Sequence, residues 1–472
     1  MKNMVYKALH VVCCLLLCLL FVGCDDFKRE HTLKVYNWGD YIDEDLILEF
    51  EEWYEEQTGE PVTVIYQTFD INEVMLAKIE NGGADFDVVC PSEYIIERML
   101  AHELLQPVVT EEFISELDAR DINYLGCVSP YITNLFKTLE APEGINPMEY
   151  AVGYMWGTTG ILYNAAFVDH EEAETWALMF DERLSGKILV KDAFRDVYSP
   201  ILIYAKTLEA REAGLLGEDE YLPLETIREL MYDDSDESIA LVESYLKRMK
   251  ELVAGWEADF GKEMMTQNKA WINLMWSGDA VWAIEEAALV DVELGYVVPR
   301  EGSVVWFDGW VIPKYAVNTH AARYFINFMC KPENAIRNMD VTGYVSVVAT
   351  EEVLDAMSDD ELDTVCDLSY LFVDANGEPL EGSEAVNIDD VMYPDRSVIE
   401  RCGMMHDSGE RTDKMLEMWS RVKGDNLSVG MLVSIIIFFT LMLIYGVWRK
   451  VDAYRKRQRL LKRRRHHSER RR

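Results

Sequence analysis

The sequence predicts an α/β fold in which a parallel sheet is flanked by helices. Short apolar runs typical of buried strands alternate with amphipathic helical segments over most of the chain. Glycine closes each of the first two predicted helices, where helices commonly end. The length of 472 residues is sufficient for two domains of ordinary size, each with its own core.

The first elements show this alternation clearly. Leu33–Tyr36 reads as a strand, and the next segment, DEDLILEFEEWYEEQTG, reads as a helix with Leu46, Phe50 and Tyr54 on one face and Gly59 at its end. The segments PVTVIYQTF, NEVMLAKIENGG and FDVVCPS continue as strand, helix and buried strand. KILVKD, INLMWSGDAVWAIEEAAL and VELGYVVP repeat the pattern later in the chain.

The N-terminus has the features of a secretory signal. Lys2 and Lys7 precede the apolar run VVCCLLLCLLFVGC, which is too short to span a bilayer. Its last four residues resemble a bacterial lipobox, which implies cleavage before Cys24 and a lipid on the Cys24 sulfur. We therefore expect a lipoprotein signal peptide over residues 1–23 and a tether over 24–32, with an ordinary signal peptide or an uncleaved anchor as the alternatives.

The C-terminus predicts a transmembrane helix. Residues 429–448, VGMLVSIIIFFTLMLIYGVW, carry no charge and are long enough to cross a bilayer. Residues 449–472 hold 13 Lys and Arg against 2 Asp and Glu, so the positive-inside rule places this tail in the cytoplasm. The sequence therefore predicts a cell-membrane protein whose large middle segment is extracytoplasmic.

Composition narrows the classes of partner. The chain has 85 acidic and 45 basic residues, and because many basic residues lie in the tail, the middle segment is strongly acidic. Such a surface repels nucleic acid and attracts cations. Five cysteines lie beyond the signal, without the spacing of a metal site, so no metal or cofactor is predicted. Cys90 and Cys330 lie in apolar runs and are expected to be buried thiols.

Ligands in open α/β sheets bind beyond the carboxyl ends of strands, where this sequence carries aromatic rings and carboxylates. An aromatic face attracts a cation and covers methylene groups, and a carboxylate binds an ammonium through a charge-assisted hydrogen bond. This pattern favours a polyamine; an anion would require glycine-rich loops and arginines, of which only Arg195 is prominent. The strand-end candidates are Trp38, Tyr41, Ser92, Tyr94, Asp192, Asp196, Trp276, Trp306 and Asp308.

Packing is the alternative explanation for each of these residues taken alone. Trp276 lies in an apolar run, where burial would account for it. Asp196 follows Arg195 directly and could instead belong to a surface ion pair.

Several segments, taken in order, resemble the spermidine/putrescine-binding proteins of bacterial ABC transporters. They are VYNWGDYI, FDVVCPSEYIIERM, VGYMWGTTGILYN, LSGKILVKDAFRDVY, INLMWSGDAVW, VVWFDGWVIP and INFMCKPENA, with TGYVS beyond them. The resemblance runs from about Leu33 to Trp419. It implies a two-lobe, periplasmic-binding-protein-like fold of type II that closes about a hinge. The expected lobes are residues 33–157 with 309–343, and 158–308 with 344–424.

The same resemblance implies roles for individual residues. Trp38 and Tyr41 would form one wall of a cleft, and Ser92 and Tyr94 would match the family's polar and aromatic pair. The remaining matches are Asp196 as an acid that holds an ammonium, Trp276 and Trp306 around the methylene chain, Asp308 at the principal amine, and Tyr344 as a further aromatic.

Two departures from the family pattern concern the ligand. A second family acid falls near Ala193 or Phe194, so Asp192 would have to substitute for it. Met405 stands where the family often has Gln, and His406 or Asp407 would have to fill that role. A lost hydrogen bond there would favour a shorter ligand such as putrescine over spermidine.

The favoured interpretation is a receptor, not an enzyme, that delivers polyamine to an ABC transporter permease with its ATPase. A sensor that uses the same cleft and signals through residues 429–448 is the main alternative, and a binding protein for another small cation is a further one. An extracellular enzyme is disfavoured because the sequence contains neither HExxH nor GxSxG.

Overall fold

The structure is a computed structural model that describes residues 29–424, apart from Gly83 and Asp259, together with Met442. The predicted signal peptide, Cys24, the predicted membrane helix and the basic tail lie outside these residues. Among the described helices, none combines the length and the apolar character needed to cross a membrane. The described residues up to Met415 belong to one compact unit, which contains the sheet and the candidate site.

Fourteen strands occur among the described residues, and twelve of them form one sheet. The strands are β1 (Thr32–Trp38), β2 (Thr63–Phe69), β3 (Val88–Val89), β4 (Leu105–Gln106), β5 (Ala151–Asn164), β6 (Ile188–Lys191), β7 (Val253–Glu257), β8 (Ile272–Trp276), β9 (Leu294–Val297), β10 (Ser303–Pro313), β11 (Val345–Ser346), β12 (Val365–Cys366), β13 (Val386–Asn387) and β14 (Cys402–Met404).

The main path of the sheet has the order β2-β1-β3-β10-β5-β8-β6-β7. β11 and β9 pair with β5, and β14 and β4 pair with β10, while β12 and β13 form a separate two-stranded sheet. The two longest strands, β5 and β10, therefore occupy the centre. β5 pairs with β10 up to Thr158 and with β8 from Thr159 onwards, so this one strand joins both halves of the sheet.

The sheet is mixed, so the prediction of a parallel sheet was wrong at its centre. β1 is parallel to β2 and β3, and β6 is parallel to β7 and β8. β10 is antiparallel to β3 and β5, and β5 is antiparallel to β8. The alternation of strands and helices predicts only the two outer parallel sections, because β5 and β10 are long strands that run between sections instead of belonging to a βαβ unit.

Helices pack against both halves of the sheet, on either side of the central strands β5 and β10. They are α1 (Asp45–Thr58), α2 (Asn72–Glu80), α3 (Glu93–Ala101), α4 (Glu111–Arg120), α5 (Pro130–Phe136), α6 (Pro147–Tyr150), α7 (His170–Ala173), α8 (Phe194–Glu212), α9 (Leu224–Leu230), α10 (Asp236–Lys250), α11 (Gly261–Thr266), α12 (Ser277–Ala288), α13 (Thr319–Met329), α14 (Pro332–Thr342), α15 (Glu351–Met357), α16 (Arg396–Ile399) and α17 (Thr412–Gly424).

The first helix confirms its predicted amphipathic pattern. Leu46, Phe50 and Tyr54 are buried on one face of α1, and Phe50 packs edge-on against Phe325 of α13. Gly59 ends α1 with a φ of 78°, a left-handed conformation that glycine adopts without steric cost. The helix therefore begins and ends close to where its sequence indicates.

The thiols of Cys90 and Cys330 are buried and free, as predicted. Cys127, Cys366 and Cys402 are free as well. Among the described residues, the fold is therefore held together without disulfides.

Candidate functional site

Asp308 lies on the central strand β10, at a point where the regular pairing with β5 is interrupted. Asp308 is opposite Met155 and Gly309 is opposite Gly153, so Tyr154 is an extra residue on β5. Such a bulge bends the strand and redirects nearby side chains. Asp308 also forms an isolated antiparallel bridge with Ser92, the residue that precedes α3.

Two hydroxyl groups bind the Asp308 carboxylate. Tyr41 donates a hydrogen bond to Oδ2 at 2.7 Å, and Ser92 donates one to Oδ1 at 2.6 Å. Asp308 is 5% exposed, and this burial raises its pKa to about 7. The two hydrogen bonds oppose the increase, and the nearby negative charge of Asp196 adds to it. The site thus contains a buried carboxylate that uncharged donors compensate only in part.

Aromatic rings surround this carboxylate. The ring of Tyr344 lies 4.9 Å from that of Tyr41 and 5.6 Å from that of Trp306, edge-to-face in both cases. Two glycines make this packing possible. A Cβ added at Gly278 would lie 2.3 Å from the Tyr344 ring, and one at Gly157 would lie 2.6 Å from the Trp306 ring.

A second carboxylate, Asp196, lies in the first turn of α8. It is buried, it accepts a hydrogen bond of 2.9 Å from Trp276 Nε1, and its pKa is raised to about 6, chiefly by burial. The Trp276 ring lies 6.4 Å from the ring of Trp38, at the end of β1. The alternative that Asp196 belongs to a surface ion pair is therefore wrong. The Arg195 guanidinium instead lies 4.6 Å from the Tyr94 ring and donates to the carbonyl oxygen of His406.

Tyr94 is connected to the Asp308 group through Asn72. The Asn72 side-chain amide donates to Ser92 Oγ and to Tyr94 OH, at 3.0 Å in both cases. Tyr94 OH in turn donates to Glu73 at 3.2 Å. These bonds fix the hydroxyls of Ser92 and Tyr94 along one side of the site.

Nine of the ten predicted site residues are therefore joined in one cluster by hydrogen bonds, ring contacts or electrostatic interaction. The tenth, Asp192, is half-buried, and its backbone N–H bonds to the carbonyl oxygen of Glu257 at 2.7 Å. This bond ties it to β7, and its contribution to ligand binding stays a prediction.

Two lysines of this cluster were not predicted as part of the site, and the expectation that Arg195 is the only prominent basic residue there was wrong. Lys191 Nζ lies 2.6 Å from Asp279 Oδ2, and Lys262 Nζ lies 3.6 Å from Asp279 Oδ1. Asp279 Oδ1 also accepts a hydrogen bond of 2.9 Å from Tyr344 OH. A charged residue at the end of the apolar run KILVK was the available signal for Lys191, because a lysine on a buried strand requires an anionic partner.

The carboxylate of Glu93 is a further group that sequence reasoning did not assign. Its Oε2 accepts from the Phe307 N–H at 3.0 Å, while its Oε1 has no hydrogen-bond partner among the described residues. Burial raises the pKa of Glu93 well above its usual range, and the nearby charges of Asp308 and Asp196 contribute to the increase. Three interacting carboxyl groups are thus buried near one another.

The residues near Met405 are engaged elsewhere. His406 Nδ1 lies 2.7 Å from Glu97 Oε1, and the Asp407 backbone N–H donates to Glu97 Oε2 at 2.7 Å. Met405 itself is buried. Whether His406 or Asp407 takes the role of the amide that the family pattern places at this point stays a prediction.

A family profile of bacterial extracellular solute-binding proteins matches residues 50–362, which is more than half of the chain. The chain belongs to this family. This solute-binding protein is therefore extracytoplasmic, and the prediction that it is not an enzyme is confirmed. Its predicted resemblance to spermidine/putrescine-binding proteins of ABC transporters is confirmed as well.

Two curated relatives illustrate the similarity. The spermidine/putrescine-binding periplasmic protein of Escherichia coli (strain K12) is 26% identical over 318 residues, covering 66% of this chain and 77% of that protein. The putrescine-binding periplasmic protein SpuD of Pseudomonas aeruginosa is 27% identical over 401 residues, covering 83% of this chain and 92% of that protein.

Solved structures agree with this assignment. An ABC transporter protein from Listeria monocytogenes is 29% identical, with a TM-score of 0.61, over 83% of this chain and 99% of that one. The spermidine/putrescine ABC transporter substrate-binding protein of Streptococcus pneumoniae is 28% identical, with a TM-score of 0.54, over 83% and 98%. The solute-binding protein thus has the α/β periplasmic-binding-protein-like fold and serves an ABC transporter.

Proposed function

We propose that this solute-binding protein binds a polyamine in the cluster around Asp308 and presents it to an ABC transporter permease. The observation that carries the proposal is the burial of the Asp308 carboxylate and the small number of groups that contact it. Among the described residues, two hydroxyls and no cation contact this buried carboxylate, so an ammonium group would stabilise its charge.

The rings make a polyamine a better fit than an inorganic cation. Trp306, Tyr344 and Tyr41 present aromatic surface beside the carboxylate, which suits methylene groups as well as positive charge. The second carboxylate, Asp196, supplies a site for a second ammonium group.

The two-lobe division predicted from the family resemblance is part of this proposal. In it, residues 33–157 and 309–343 form one lobe, residues 158–308 and 344–424 form the other, and β5 and β10 act as the connecting strands. The ring contacts of Trp38 with Trp276 and of Tyr41 with Tyr344 would then lie between the two lobes and belong to the closed form.

Isothermal titration calorimetry on the full-length protein tests the binding step. Putrescine, spermidine, an amino acid, a sugar and calcium are titrated in parallel at pH 8. We expect saturable binding of at least one polyamine and none of the others. A sugar or an amino acid that binds while both polyamines fail would refute the proposal.

An uptake experiment in cells distinguishes a role in transport from a role in sensing. Cells that lack this chain are compared with cells that contain it for uptake of radiolabelled putrescine. We expect uptake to fall to the background level without the chain, because the permease would lose its ligand-loaded partner. Unchanged uptake, together with binding in the calorimeter, would favour a sensor.

A further inference from the structure

Lys191 places a permanent ammonium group inside the candidate site. It is the last residue of β6, and its side chain is fully buried. Its Nζ lies 2.6 Å from Asp279 Oδ2, 3.0 Å from the Ala258 carbonyl oxygen and 3.3 Å from Glu257 Oε1. Three acceptors therefore surround the three N–H bonds of one ammonium.

An aromatic face completes the surroundings of this ammonium. Lys191 Nζ lies 4.4 Å from the centre of the Trp276 ring, whose indole N–H donates to Asp196. Carboxylate on one side and indole face on the other is the arrangement that recognises an alkylammonium ligand. The structure thus contains an ammonium site of this kind, and the Lys191 side chain occupies it.

The Lys191 site is continuous with the Asp308 site. Asp279 accepts from Lys191 through one oxygen and from Tyr344 OH through the other. The Tyr344 ring packs on Tyr41, whose hydroxyl binds Asp308. One aromatic residue, Tyr344, therefore separates the carboxylate that holds Lys191 from the residues that hold Asp308.

Lys191 stays charged despite its burial. Burial lowers its pKa, but the negative charges of Asp279 and Glu257 more than offset this effect, so the pKa is raised overall. Lys191 in turn lowers the pKa of Asp279.

We propose that Lys191 determines ligand specificity by occupying the Trp276–Asp279 ammonium site, so that the site accepts a diamine and excludes the third ammonium group of a triamine. This inference rests on the proposed function, since it concerns the same site. A third ammonium would have to approach Lys191, and it would find one face of Trp276 and one oxygen of Asp279 already occupied. Lys262, 3.6 Å from the other oxygen of Asp279, adds to the repulsion.

Replacing Lys191 by Ala tests this proposal in the full-length protein. The variant leaves the carboxylates of Asp279 and Glu257 without their ammonium, and a triamine can supply one. We expect the ratio of the spermidine dissociation constant to the putrescine dissociation constant to fall at least tenfold. Calorimetry with both polyamines at pH 8 measures the two values.

A small amine provides a second readout that does not depend on polyamine recognition. Propylammonium has the length of the end of a lysine side chain, so we expect it to raise the melting temperature of Lys191→Ala by several degrees. If this variant does not fold alone, propylammonium in the refolding buffer is expected to restore folding. A folded Lys191→Ala variant whose affinity for spermidine does not rise relative to putrescine would overturn the proposal, even if propylammonium stabilises it. A variant that folds neither alone nor with propylammonium would overturn it as well.

Two further variants control for other effects. Lys187 lies 5.2 Å from the Trp271 ring, outside the cluster, so Lys187→Ala removes a similar lysine–tryptophan pair and should change neither affinity. The double variant Lys191→Met with Asp279→Asn removes both charges and should not gain spermidine binding; a gain there would contradict the role given to Asp279. If the unaltered protein binds no polyamine but Lys191→Ala is rescued by propylammonium, the ammonium site stands and the proposed function fails.

Discussion

At the scale of single residues, the chemistry of the site depends most on Asp308. Burial opposes its negative charge, and only two hydroxyl groups bind it in the absence of ligand. A bound ammonium would restore a full charge partner in a place where water screens the interaction little. Substitution and pH should therefore affect ligand binding at this residue more strongly than elsewhere.

Replacing Asp308 by Asn should weaken polyamine binding by about 2–4 kcal/mol, the range for breaking a buried charge pair. The Asn side chain keeps the size of Asp and one acceptor oxygen, so the fold should be retained. Asp340→Asn is the control, because Asp340 lies at the exposed surface of α14. Calorimetry that found equal affinity in all three proteins would rule out Asp308 as the principal ammonium partner.

Acid should weaken binding, because the pKa of Asp308 is about 7 and that of Asp196 is about 6 in the ligand-free protein. An ammonium prefers the ionised carboxylates, so below pH 7 binding must displace a proton from Asp308, at a loss of about tenfold in affinity per pH unit. Calorimetry at pH 6, 7 and 8 measures this dependence, and a flat profile would contradict it. The Asp308→Asn variant should show a smaller slope.

The same groups should have the opposite effect on stability without ligand. Their pKa values are higher in the folded than in the unfolded chain, so the folded state binds more protons between about pH 4 and pH 7. Their contribution to the free energy of unfolding is therefore greatest at low pH and is lost as the pH rises through 7. Polyamine should stabilise the protein most at pH 8, where the carboxylates are ionised.

The strand-end rule works for Trp276, which is the last residue of β8. It was wrong for Trp306 and Asp308, which lie inside the long strand β10 and not at its end. Trp38, Tyr41 and Ser92 follow strands that a short apolar pattern reveals. The strand-end rule did not identify Lys191 and Asp279, because their importance comes from a contact between residues 88 positions apart in the sequence. No local sequence pattern predicts which buried lysine will form an ion pair with which carboxylate.

At the scale of elements, the first turn of α12 is shaped by Gly278. Residues 277–279 bring Ser277, Gly278 and Asp279 under the Tyr344 ring, which lies where a Cβ at position 278 would be. A glycine here is required for close packing and not for an unusual backbone angle. The position of Tyr344, and through it the position of Tyr41, depends on this contact.

Replacing Gly278 by Ala should displace the Tyr344 ring and cost about 1–3 kcal/mol of unfolding free energy, as overpacking usually does. Polyamine affinity should fall with it, since Tyr344 lies against both Tyr41 and Trp306. Gly126→Ala is the matched control because no atom lies within 4 Å of a Cβ built there. Thermal unfolding and calorimetry of both variants measure the difference, and equal behaviour would exclude the proposed role of this contact.

Individual helices and strands were predictable from the sequence, but the direction of the central strands was not. The spacing of the apolar residues in α1 indicates its helical period directly, as Leu46, Phe50 and Tyr54 show. β5 and β10 are buried along their whole length, so an apolar run alone gives neither their partners nor their direction. The bulge at Asp308 depends on that pairing and was likewise invisible.

At the scale of the whole molecule, two contacts join the turn after β1 to the segments around α11 and β8. Lys262 Nζ lies 3.6 Å from Asp40 Oδ2, and the Trp38 ring lies 6.4 Å from that of Trp276. Asp40 is largely exposed, so this ion pair contributes little by itself. This ion pair alone is therefore too weak to hold these segments together.

Ligand should make the protein more compact if the lobes close around it. We expect the radius of gyration from small-angle X-ray scattering to decrease when saturating putrescine is added at pH 8. Asp308→Asn at the same putrescine concentration should remain as expanded as the ligand-free protein. An unchanged radius with ligand demonstrably bound would argue against closure.

The strand β5 belongs to both halves of the sheet, pairing with β10 through its first part and with β8 through its second. If the strands of one half separated from β5, the part of β5 that they cover would lose its backbone hydrogen bonds and the edge of the other half would be exposed to water. Heating residues 29–415 should therefore melt them as one cooperative block, with a single heat-absorption peak and no half-folded intermediate.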